Sequence, residues 1–135
     1  MDRRTFLLTS AAATASGPLF AAAGEAYSPG LVKKMLSEGK TVFIDFYTDW
    51  CTTCKRQERV IGALRSENPE YEAINFVAIN FDKYGREELS RELGIPRRST
   101  LVVLTPNGEI GRIVAGTSTA DIKALMDKAL NAATA

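Results

Sequence analysis

The residues able to do covalent chemistry in this 135-residue chain sit together. Cys51 and Cys54 are its only cysteines, two residues apart in Trp50-Cys51-Thr52-Thr53-Cys54-Lys55, and the chain has no histidine. That absence removes imidazole catalysis and the commonest metal ligand at once. A structural zinc site would need four ligands, of which the pair supplies two. What remains is thiol chemistry. The thiolate is the reactive form of cysteine, and unpaired N–H groups with the positive end of a helix dipole stabilise it at a helix N-terminus. A second cysteine about one turn on is close enough to attack a mixed disulfide on the first and release the product. The spacing therefore predicts a two-electron switch, with Cys51 attacking and Cys54 resolving.

The flanking sequence must place Cys51 at such a helix start. From Thr41 to Tyr47 the residues are β-branched, aromatic or aliphatic with one acid, Asp45, the composition of a strand buried on both faces. After Cys54 the period changes. Val60, Ile61 and Leu64 recur at helical spacing among Lys55, Arg56, Glu58, Arg59 and Arg65, which predicts an amphipathic helix ending near Ser66, before Asn68-Pro69. Upstream, Ser28 to Glu38 predicts a short helix with Ser28 as N-cap and Gly39 as its stop. Downstream follow a buried strand over Ile74 to Phe81, a helix over Arg86 to Leu93, and a central strand at Leu101 to Leu104. Pro106-Asn107-Gly108 then turns the chain into an antiparallel partner over Ile110 to Val114, and Ser118 opens a last helix bearing Ile122, Leu125, Met126 and Ala129. This order implies an α/β fold with a mixed sheet of about four strands flanked by helices, the first helix preceding the motif strand.

Trp50-Cys51-Thr52-Thr53-Cys54-Lys55 resembles the W-C-x-x-C-K active site of the thioredoxin family, and Asp45, six residues before Cys51, matches that family's buried acid. The resemblance runs from about Ser28 to Ala132. With Asp49 before the motif and Glu58 four residues past Cys54, it looks closest to the periplasmic reductase domain of DsbD-type disulfide-interchange proteins. It implies a thioredoxin-like fold and thiol–disulfide exchange without a cofactor. In that reading Asp45 takes the proton of Cys54, Glu58 adjusts the thiols, and Trp50, Ser99 and Thr100 contact substrate. The chain departs from the family at one position. Where such chains carry a cis-proline before the Thr that opens the third strand, the residue before Thr100 is Ser99, and Pro96 lies three positions earlier. In the gapless register Ser99 lies against both sulfurs after a trans bond, and its loop presents substrate through backbone hydrogen bonds. In the alternative register Pro96 faces the cysteines.

The N-terminal segment reads separately. Arg3-Arg4 precedes a moderately apolar stretch, and small residues near Ala23 and Ala26 suit cleavage, so residues 1–23 are expected to be a twin-arginine-type signal peptide, with Sec export as the alternative, and residues 27–133 the domain. Thr9, Ser10, Thr14, Ser16, Gly17 and Pro18 dilute the stretch too much for a membrane anchor. The whole chain has 17 basic and 16 acidic residues; without Asp2, Arg3 and Arg4 the balance is 15 to 15. A neutral domain without a basic patch argues against nucleic acid as a partner. The expected function is that of a monomeric periplasmic thiol–disulfide oxidoreductase acting on cysteine-containing proteins, as a reductant fed by a membrane thiol-electron donor. The alternative is a protein that holds a soft ion such as Cu(I) between the two thiolates.

Overall fold

The computed structural model describes residues 24–135; the signal peptide expected over residues 1–23 lies outside the described residues. Five strands form one mixed sheet: β1 (Glu25–Ala26), β2 (Val42–Tyr47), β3 (Asn75–Asn80), β4 (Thr100–Thr105) and β5 (Gly108–Val114), in the spatial order β1-β3-β2-β4-β5. β2 pairs in parallel with β3 and antiparallel with β4, and β4 turns through Pro106-Asn107 into antiparallel β5. The motif strand is thus central.

The period of two along these strands sorts the core into two layers. Phe43, Phe76, Leu101 and Val103 pack on one face against Ile61 and Leu64 of α2 (Thr52–Glu67) and Ile122, Leu125, Met126 and Ala129 of α5 (Thr119–Ala133). Val42, Ile44, Phe46, Val77, Ile79, Val102 and Leu104 pack on the other. They meet Val32 and Met35 of α1 (Leu31–Ser37) and Leu89 of α4 (Glu88–Leu93). Asp45 shares its face with Phe43, and so points toward the α2 side.

Several expectations need correction. The sheet has five strands rather than about four, because Glu25 and Ala26 add a short edge beside Val77 and Ala78, two residues before the expected start of the domain. Gly24 approaches β3 so closely that a Cβ would lie 2.6 Å from the Phe76 carbonyl carbon, which explains a glycine there. The first helix begins at Leu31 rather than Ser28. Gly30 occupies its N-cap at φ 91°, a left-handed conformation, and no side chain caps the turn. The helix expected over Arg86 to Leu93 is shorter, starting at Glu88, and is preceded by α3 (Phe81–Tyr84), whose first amides are capped by Asn80 Oδ1. The Ser118 cap forms as expected, with its Oγ accepting the Asp121 N–H at 3.2 Å.

Candidate active site

β2 ends at Tyr47, and Thr48-Asp49-Trp50 carries the chain to Cys51, the N-cap of α2. The Cys51 backbone is extended and its Sγ accepts the N–H of Cys54 at 3.0 Å, as a capping oxygen would. Cys51 and Cys54 are joined in a disulfide and both are buried. In the dithiol form, that amide and the helix dipole act on Cys51 and favour its thiolate.

Ser99 closes the site from the opposite side. Its Oγ lies 3.1 Å from Cys51 Sγ and 3.2 Å from Cys54 Sγ, and the residue is fully buried. No cis peptide bond occurs among the described residues, so the bond before Ser99 is trans, and Ser99 instead adopts φ 64°. Pro96 is exposed, and Ser99 is the residue against the sulfurs.

Ser99's own backbone groups are taken up within the fold. The Ser99 N–H donates to the Phe46 carbonyl at 2.8 Å, and its carbonyl accepts the Ala115 N–H at 2.8 Å and Gln57 Nε2 at 3.0 Å. Thr100 is also fully buried, its hydroxyl donating to the Arg97 carbonyl at 2.7 Å and its backbone opposite Phe46 and Val114. Both groups are consumed within the fold.

Beside the sulfurs Trp50 is exposed and Arg98 half-buried. Trp50 is 60% exposed, its Nε1 donates to Asp82 Oδ2 at 2.8 Å, and the Arg98 guanidinium lies 4.3 Å from its ring centroid. This stack of cation on indole joins the residue before Cys51 to the residue before Ser99. Asp45 is fully buried in β2 between Ala78 and Leu101. Glu58 lies one turn past Cys54 and makes no hydrogen bond to Cys51, Cys54 or Ser99. Burial raises its carboxyl pKa, with Asp49 adding to the rise and Lys55 and Arg59 opposing it. Burial likewise raises the neighbouring Tyr47 phenol, and the charges of Asp49, Asp45 and Glu58 push it further.

Sequence reasoning missed Gln57, Arg98 and Asp82. Gln57 is fully buried and its Nε2 donates both to Ser99 and to the Gly116 carbonyl, at 2.9 Å. It stands on the same helical stripe as Cys54, Ile61 and Leu64, and an amide in an apolar stripe was the available sign. For the soft-metal alternative, no group of three or more Cys, Asp or Glu among the described residues could hold a metal ion, and Met35 and Met126 are buried in opposite core layers. Nothing in the site favours that reading.

Comparison with known proteins agrees with this geometry. The thioredoxin family profile matches residues 26–128. Mitochondrial thioredoxin-2 of Schizosaccharomyces pombe is 31% identical over 67% of this chain and 61% of its own length. The thiol:disulfide interchange protein DsbD 2 of Pseudomonas aeruginosa is 26% identical over 54% of this chain, but over only 13% of its own. The chain thus spans about six-tenths of the first relative and a small part of the second. Among solved structures, Trxlp from Edwardsiella tarda superimposes with a TM-score of 0.65 at 30% identity, covering 77% of this chain and 95% of that one.

Proposed function

The chain belongs to the thioredoxin family, with Cys51 and Cys54 as its thiol–disulfide oxidoreductase pair, and from that premise we propose that it works in the periplasm as a reductant of cysteine-containing proteins. The observation that carries the chemical part is Cys51 at the N-cap of α2 with its sulfur accepting the Cys54 N–H, since that arrangement selects Cys51 as the anion and nucleophile. Trp50 and Arg98 form the partner-facing surface beside it. Export rests on Arg3-Arg4 and the small residues near Ala23; cleavage there would leave Glu25 and Ala26 on the sheet. The reducing direction rests on the resemblance of Asp49-Trp50-Cys51 to Lys55, with Glu58, to the reductase domain of DsbD-type proteins, and a reductant in an oxidising compartment needs a thiol-electron donor in the membrane.

Two measurements test the two parts. Changing Arg3 and Arg4 together to Lys should leave the precursor unprocessed in the cytoplasm; unchanged processing would replace the twin-arginine route with Sec. The purified protein should reduce insulin disulfides, with a midpoint potential below that of protein disulfide isomerase, about −180 mV; a higher midpoint would make it an oxidant.

A further inference from the structure

We propose that the Ser99 hydroxyl is a positioning group shared by the two sulfurs, holding the reduced pair as Cys51 thiolate and Cys54 thiol. This rests on Cys51 being the attacking thiol of the oxidoreductase. The hydroxyl oxygen is nearly equidistant from the sulfurs, at 3.1 and 3.2 Å. Its position is fixed by the backbone rather than by the sulfurs. Ser99 N–H is held by Phe46, and its carbonyl by Ala115 and Gln57, at a φ of 64° that the surrounding bonds must maintain.

A serine hydroxyl donates one hydrogen and accepts at two lone pairs. In the disulfide neither sulfur carries hydrogen, so the hydroxyl is the donor. When the reduced pair keeps one proton, two arrangements compete. With the charge on Cys51, that sulfur receives both the Cys54 N–H and the Ser99 O–H, while Cys54 S–H donates to the Ser99 oxygen, and every group is satisfied. With the charge on Cys54, that sulfur has Ser99 as its one described hydrogen-bond partner, and the Cys54 N–H faces a neutral thiol. The first is favoured because hydrogen bonds to an ionised group are the stronger ones. The exchange then balances. Cys51 thiolate attacks R–S–S–R′ and expels R′–S⁻; Cys54 sulfur attacks Cys51, and the Cys54 proton leaves with R–S⁻ as R–SH. Two electrons pass to the substrate and the Cys51–Cys54 disulfide forms.

The test is the pH dependence of iodoacetamide alkylation of the reduced full chain, with the modified cysteine located by mass spectrometry, for wild type, Ser99→Ala and Ser99→Gly. Losing a hydrogen bond to a charged group should raise the Cys51 pKa by at least about one unit, a tenfold loss in thiolate stability, in both variants. The tenfold loss in thiolate stability makes the pair about 30 mV more reducing if it is carried by the reduced form alone. Melting temperature separates this from a structural role. Glycine relieves the positive φ and alanine does not, so the variants should differ in stability while sharing the pKa shift. A Cys51 pKa unchanged in both variants would overturn the proposal alone. Alkylation of wild type first at Cys54 would overturn the attacking-thiol assignment, and the proposal with it.

Discussion

Along β2 the chain passes between two differently built regions. Around Phe43 the α2 and α5 side is closed by Ile61, Leu64, Ile122, Leu125 and Met126, all apolar and buried. Toward the other end of the same strand lie the buried polar residues Asp45, Thr48, Gln57, Ser99 and Thr100 with the two sulfurs; among the described residues the remaining buried polar ones, Thr41 and Ser90, lie elsewhere. Apolar packing tolerates small shifts because dispersion is non-directional, whereas a buried polar cluster must meet its partners at defined distances. The first region supplies stability to the second, which holds groups that burial alone would disfavour. Ser99 and Ala115, both at φ 64°, lie at this polar end and are bonded to each other through the Ala115 N–H.

The largest contrast should come from the sulfurs themselves. Cys51→Ser should abolish turnover and trap few partners, while Cys54→Ser should accumulate mixed disulfides through Cys51, read on non-reducing gels of cells expressing either variant. Equal trapping by both would remove the asymmetry that the α2 N-cap creates. Neither change touches the apolar region.

Next in size is the pair Phe43→Ala and Gln57→Leu. Phe43 is fully buried, and its truncation should cost about 3–5 kcal/mol in denaturant unfolding while leaving turnover per folded molecule close to wild type. Gln57→Leu keeps a similar volume but removes the donors to the Ser99 and Gly116 carbonyls, which should cost about 1–3 kcal/mol. Its effect on turnover should nevertheless be the greater of the two, because Ser99 loses one of its fixings beside the sulfurs. If both variants lose stability and activity in proportion, the two regions are not distinct in the way the burial pattern implies.

The same contrast explains what the sequence disclosed. The apolar strands and amphipathic helices were legible because their periods of 2 and 3.6 are written in residue type, and Trp50 to Lys55 placed the cysteines at the strand-to-helix turn. Glu25 and Ala26 were missed because a two-residue edge has no period, and α3 because it is one turn held by the Asn80 side chain. Polar connections across the fold are a different kind of information. Nothing local links Gln57 to residues 99 and 116, or Trp50 to Asp82 and Arg98; those pairings exist only once the β2–β4 register sets Phe46 opposite Thr100 and the β2–β3 register sets Tyr47 opposite Asn80. The backbone of Ser99 is held in the same non-local way, by partners 42 and 53 positions back and 16 ahead, at Gln57, Phe46 and Ala115.

The smallest expected effect belongs to Glu58, which lies at the margin between the site and solvent. Its carboxyl is half-buried, and burial raises its pKa despite Lys55. A raised folded pKa means that the folded state holds the proton more tightly than the unfolded chain does. The associated stability is therefore present below the ordinary carboxyl range and is lost as pH rises through the folded value. Glu58→Gln lacks this titration. Relative to wild type, the variant should gain stability between low and neutral pH, by under about 1 kcal/mol because solvent screens a half-buried charge. Urea unfolding of both proteins at pH 3 and pH 7 measures the difference. A relative gain toward pH 7, with the Cys51 alkylation profile unmoved, makes Glu58 part of the solvated rim. A shift of Cys51 by half a pH unit or more would instead bring its charge into the polar end of the fold, although no hydrogen bond joins it to the sulfurs.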